Sequence, residues 1–116
     1  RVADERIALI GELGLAAVTL GVPDVDSPFT SISVDDGAGI RLAVDHLADL
    51  GHTDIAHAAG PFSMLHGRHR AAAFEDAAAA RGIRARIIET DFSAADGARA
   101  TEELLDAATP PTAIVY

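Results

Sequence analysis

An α/β fold built on a doubly wound parallel sheet is what this sequence predicts, and two patterns carry that prediction. From Ile55 onward, short apolar strands alternate with helical stretches: strand 55–59, helix 67–81, strand 85–90, helix 94–107 and strand 112–116, a βαβαβ order. Parallel strands need crossover helices, and right-handed crossovers place the loops that follow the strands along one edge. The second pattern is the run from Val34 to Ile83. It holds a capped helix, a Gly-His turn, an apolar strand, a Gly-Pro loop and then Arg68 and Arg70 opening another helix. Binding groups gather at strand ends in such folds, so a small-molecule pocket is expected there.

Each element has a local cause. Residues 4–13 predict a helix with Ile7, Ile10 and Leu13 on one face and acidic residues near its start, ended by Gly14. Ala16 to Leu20 reads as a short apolar strand, and residues 21–30, with two prolines and several acidic or small polar residues, as a loop. Ser31 to Val34 is a second short strand. Asp35 or Asp36 can cap the next helix, Gly39 to Leu50, where Ile40, Val44 and Leu47 repeat at helical spacing before Gly51 stops it. Farther on, Ser93 followed by Asp96 forms a capping pair for the last helix. The βαβαβ stretch puts the loops 60–66 and 91–93 on the same edge.

Composition narrows the function. Of 116 residues 49% are hydrophobic, ample for a core, but only 4% are aromatic and none is Trp, so burial rests on Ala, Leu, Ile and Val. Zero Cys excludes disulfides and thiolate metal sites. No apolar run reaches the roughly 20 residues that span a bilayer, so no membrane partner is expected. A net charge of −9 would repel a polyanion, and this chain is not expected to touch DNA itself. No G-x-S-x-G elbow, P-loop or G-x-G-x-x-G fingerprint is present.

Individual residues carry more. Arg70 offers five donors in a rigid fork, suited to vicinal hydroxyls, a carboxylate or a phosphate; an ion pair with a nearby Asp or Glu would use the same fork structurally. Arg68 reads as a brace for the loop. Phe92 follows a strand, where a flat ring can stack on an apolar ligand face or join the core. Phe62, Met64 and His66 lie in the loop after Gly60. His66 and His69 are three apart but have no clear third ligand, so no metal site and no cofactor are expected. His57, inside an apolar strand, reads as a satisfied core or interface histidine. The pairs Asp35-Asp36 and Glu102-Glu103 read as a helix cap and a solvated face.

Taken in order, Asp35, Asp36 and Gly39, then Ala43, His46 and Leu47, Leu50, Gly51 and His52, Ile55, Gly60 and Pro61, Arg68, Arg70 and Phe74 resemble the sensing domain of the LacI/GalR family of transcription regulators. Asp91, Phe92, Ser93 and Gly97, and then Pro110 to Ile114, extend the resemblance over nearly the whole chain. It implies a periplasmic-binding-protein-like (type I) fold, here the end of one lobe (residues 1–52) and the start of the other (53–116). It also implies a non-enzymatic, cytoplasmic homodimer that binds a small-molecule effector, through Arg70 and Phe92 with Phe62, Met64 and His66 alongside. Operator DNA would be read only by a helix-turn-helix that this chain does not contain, and the chain is expected to be a fragment. The family's frequent ligand-binding Asp after the first strand is replaced by Gly21, leaving only Asp24 or Asp26 in that loop. Met64 and His66, where relatives carry small or hydroxyl residues, imply a different or smaller effector than a simple hexose. A solute-binding protein of a transporter shares the fold, and a flavodoxin-like enzyme is the remaining alternative.

Overall fold

A computed structural model describes residues 5–21, 23 and 25–116; Asp4 and Asp24 lie outside the described residues. The chain divides into two compact units, Arg1–Asp35 and Asp36–Tyr116.

In the first unit, helix α1 (Arg6–Glu12) precedes strands β1 (Val18–Leu20) and β2 (Thr30–Ile32), which pair in parallel with Val18 opposite Thr30. Gly21 follows β1 with φ +88° and donates its N–H to the Ile32 carbonyl at 2.8 Å. That left-handed turn is open to glycine at little cost. No residue of α1 is buried.

The second unit holds α2 (Asp36–Asp49), β3 (Asp54–Ala59), α3 (Leu65–Ala80), β4 (Arg84–Glu89), α4 (Ala94–Leu105) and β5 (Ala113–Val115). The sheet order is β4-β3-β5, all parallel, with Ile55 opposite both Ala85 and Ala113. The chain steps from β3 to one side and then back to the other, so two right-handed crossovers place α3 and α4 on opposite faces. The expected βαβαβ unit is therefore present, with strands beginning or ending within a residue or two of expectation.

Side-chain alternation in β3 serves both faces. Ile55 and His57 point to the side of α2 and α3, where Ile40, Val44, Phe74, Ala77, Ala78, Ile83 and Val115 form the core. Ala56 and Ala58 face the other way, small enough to admit α4, whose Ala100 and Leu104 are buried. Every residue of β3 from Ile55 to Ala59 is buried, as a central parallel strand requires. Alanines along α3 let α2 approach closely, and Arg81 ties the two helices by pairing with Asp45 at 3.3 Å and Asp49 at 2.5 Å.

α2 buries Ile40 and Val44 against α3, so the division between the compact units falls at Asp35 and Asp36. His57 differs from expectation. It is 1% exposed, and its Nδ1 meets the Val115 carbonyl at 2.9 Å, but its buried Nε2 has no hydrogen-bond partner among the described residues. Burial lowers its pKa, and the charge of Arg70 adds to that, against the opposing hydrogen bond to Val115.

Candidate functional site

The loops after β3 and β4 meet at the C-terminal edge of the sheet. Phe62 donates its N–H to Glu89 Oε1 at 2.6 Å, fastening one loop to the end of the neighbouring strand. Arg68 reaches back from α3 to the Phe62 carbonyl at 2.7 Å, so it braces the loop as its position implies. Met64 donates its N–H to the Pro61 carbonyl at 3.0 Å, closing a turn that delivers the chain into α3. Gly67 lies so close to the Pro61 carbonyl that a Cβ would strike it.

The second loop is held by its own carboxylates. Ser93 Oγ caps α4 by accepting from the Asp96 N–H at 3.1 Å. The Asp96 carboxylate accepts from the Asp91 N–H at 2.9 Å instead of returning to Ser93, so only half of a reciprocal capping box forms. Asp91 in turn accepts from the Ser93 N–H at 2.8 Å. These bonds depress both carboxyl pKa values, Asp91 chiefly through Ser93 and Asp96 chiefly through Arg99. A shallow hollow of about 280 Å³ beside this loop is lined by Pro61, Glu89, Thr90, Asp91 and Asp96.

Phe92 stands between the loops. Its backbone is left-handed at φ +70°, uncommon for a residue with a bulky side chain, and its ring is half exposed. The ring tip rests where a Cβ on residue 60 would sit, so the ring keeps this place only while residue 60 is glycine. His66 stacks on Phe92 with ring centroids 5.6 Å apart and planes 9° from parallel, within the range of favourable offset stacking. An aromatic ring is thus placed at the surface by a strained backbone, the room left by a glycine and a stacking partner.

Of the five residues singled out by sequence, Phe62, Met64 and Phe92 fall in the two edge loops, whereas His66, expected in the first of them, stands in the first turn of α3; all four are exposed. None of the five lines the acidic hollow. Arg70 lies one helical turn into α3 and is engaged: its Nη2 donates to Asp36 Oδ1 on α2 at 2.9 Å, both side chains partly exposed. Sequence reasoning missed the loop-fastening role of Glu89 and the pairing of Asp36 with Arg70, because 27 and 34 residues separate the partners. Among the described residues, no group of three or more His, Asp or Glu is placed to hold a metal ion.

A periplasmic binding protein-like domain model matches residues 44–116. The chain belongs to that family. Its sequence and fold are those found in the effector domains of LacI-type regulators. The Escherichia coli lactose operon repressor is 36% identical over 100 residues, which cover 85% of this chain and 28% of the repressor. A Streptomyces limosus helix-turn-helix-type regulator is 46% identical over 76 residues, 64% of this chain and 21% of that protein. Among solved structures, a LacI family transcriptional regulator from Bifidobacterium animalis superimposes with a TM-score of 0.88 at 35% identity, covering 97% of this chain and 42% of that one. This chain therefore spans between a fifth and under a half of the length of these relatives. No helix among the described residues is long and apolar enough to cross a membrane.

Proposed function

We propose that this chain is the effector-sensing part of a LacI-type transcription regulator and that its ligand is a small sugar or related metabolite. The observation that carries the reading is the fixed, exposed ring of Phe92, stacked by His66 over Gly60 at the C-terminal edge of a parallel sheet. Ligands of open α/β sheets bind at that edge. A partly exposed aromatic there offers an apolar face for a sugar ring. In this reading Phe62, Met64 and His66, exposed in the stretch that follows Gly60, would flank the ligand, and Arg70 would supply donors to its hydroxyls. The lactose operon repressor among the relatives supports a sugar-class effector.

Residues 1–52 would then belong to the end of one lobe segment and residues 53–116 to the start of the second. Effector binding would favour one arrangement of the whole regulator and so change the operator affinity of helix-turn-helix heads supplied outside this chain. In this reading the regulator is a cytoplasmic homodimer with no catalytic role.

A thermal-shift screen against sugars, polyols, nucleosides and sugar phosphates, repeated with Arg70→Ala, tests it. A ligand that binds the native state raises the melting temperature by mass action. The reading requires a hit that Arg70→Ala abolishes; hits indifferent to Arg70, or none across the panel, would overturn it.

A further inference from the structure

We infer that Asp36 is a charge-selectivity residue: by neutralising Arg70 it makes this site prefer an uncharged polyhydroxylated ligand over a phosphorylated or carboxylated one. The inference rests on the proposal that Arg70 faces the effector, and it narrows the effector's chemical class.

The geometry is specific. Arg70 Nη2 and Asp36 Oδ1 are 2.9 Å apart, with side-chain exposures of 38% and 29%. The pair is therefore partly withdrawn from water, where a counterion matters more than in bulk solvent. Asp36 is also the first residue of α2, which packs along α3, so both partners stand on rigid elements. Only Nη2 is committed to Asp36; the remaining guanidinium donors can still meet a hydroxyl, whose oxygen needs a donor and no net charge. A phosphate or carboxylate would need the cation itself, and Asp36 already holds it.

The surroundings reinforce the same selectivity. On the loop edge, Glu89, Asp91 and Asp96 present three carboxylates. The nearby arginines are committed: Arg68 to the Phe62 carbonyl, and Arg99 to Asp96, Glu103 and the Glu89 carbonyl. An anion approaching this edge meets three carboxylates and an Arg99 already paired with Asp96 and Glu103, in a chain of net charge −9; Arg68 keeps its charge but is turned to a backbone carbonyl.

The test uses inorganic phosphate as probe, titrated at constant ionic strength and followed by the 15N–1H signal of the Arg70 side chain and by calorimetry. Wild type is expected to show no saturable Arg70-dependent phosphate binding. Asp36→Asn, which keeps the shape and removes the charge, is expected to bind phosphate about tenfold more tightly or better, consistent with loss of one close counterion. Asp36→Glu should behave as wild type, and Asp36→Asn combined with Arg70→Ala should lose the gain. Phosphate binding by wild type as tight as by Asp36→Asn would overturn the inference while leaving Arg70 in the effector site. An Asp36→Asn protein that folds but gains no phosphate binding would overturn it as well. Should Asp36→Asn fail to fold, the wild-type titration decides alone, because saturable movement of the Arg70 signal there contradicts the inference. Failure of the effector reading shows separately, as sugar hits indifferent to Arg70→Ala.

Discussion

The ring of Phe92 occupies the space that a Cβ on Gly60 would fill, so the loop after one strand is shaped by the absence of a side chain at the end of its neighbour. Replacing Gly60 by Ala pushes an exposed ring aside, which costs little in folding because the ring can swing into solvent. The expected outcome is a loss of stability under about 1 kcal/mol but a clear loss of effector affinity, since the stack with His66 is disturbed. Chemical denaturation and ligand titration of the same variant separate the two effects.

Gly67 makes the opposite case. There the added methyl meets the Pro61 carbonyl, backbone that cannot move without shifting the loop and the start of α3. Gly67→Ala is expected to lower stability by about 1–3 kcal/mol, as overpacking does. A urea midpoint indistinguishable from wild type would contradict the close approach.

Arg86 grips Asp54 across β4 and β3, from Nε at 3.2 Å and from Nη2 at 2.7 and 2.8 Å, both side chains largely withdrawn from water. Asp54→Ala leaves that guanidinium without its partner and is expected to cost about 1–3 kcal/mol. The double variant with Arg86→Ala should cost less than the sum of the single changes, which a double-mutant cycle reads directly.

His57 gives the protein a pH dependence of defined sign. Burial holds its folded-state pKa below the ordinary 6.5, so between those two values the unfolded chain binds a proton that the native state refuses. Stability is complete above 6.5 and falls as the pH drops toward the folded pKa, by up to about 1.4 kcal/mol per pH unit for one proton. Denaturation midpoints from pH 8 to pH 5 should show this fall in wild type and its removal in His57→Leu. The carboxyls of Asp91 and Asp96 act in a separate window: held below 3.8 when folded, they stabilise above that value and lose the contribution in stronger acid.

The parts of this molecule that were legible in the sequence are those with local causes. Apolar periodicity marked β3, α3, β4, α4 and β5, Ser93 marked the start of α4, and Gly51, found at φ +95°, marked the end of α2. Relations across long sequence separations were not legible. Nothing near His57 announces that its ring will meet the Val115 carbonyl 58 residues away. The partner of α2 was hidden for the same reason: the pattern Ile40, Val44, Leu47 shows that α2 has an apolar face but not that α3 covers it. The edge loops were located because strand ends could be located. The orientation of Phe92 was hidden, since a positive φ at a phenylalanine runs against local preference.

The most direct test of the account is a 15N–1H NMR titration of the protein with neutral hexoses and disaccharides, in wild type and in Arg70→Ala. The account predicts saturable shifts concentrated at residues 60–70 and 91–93, with the Phe92 amide among them, and their loss in Arg70→Ala. Shifts that map elsewhere, that survive the loss of Arg70, or that appear with none of these sugars would contradict it.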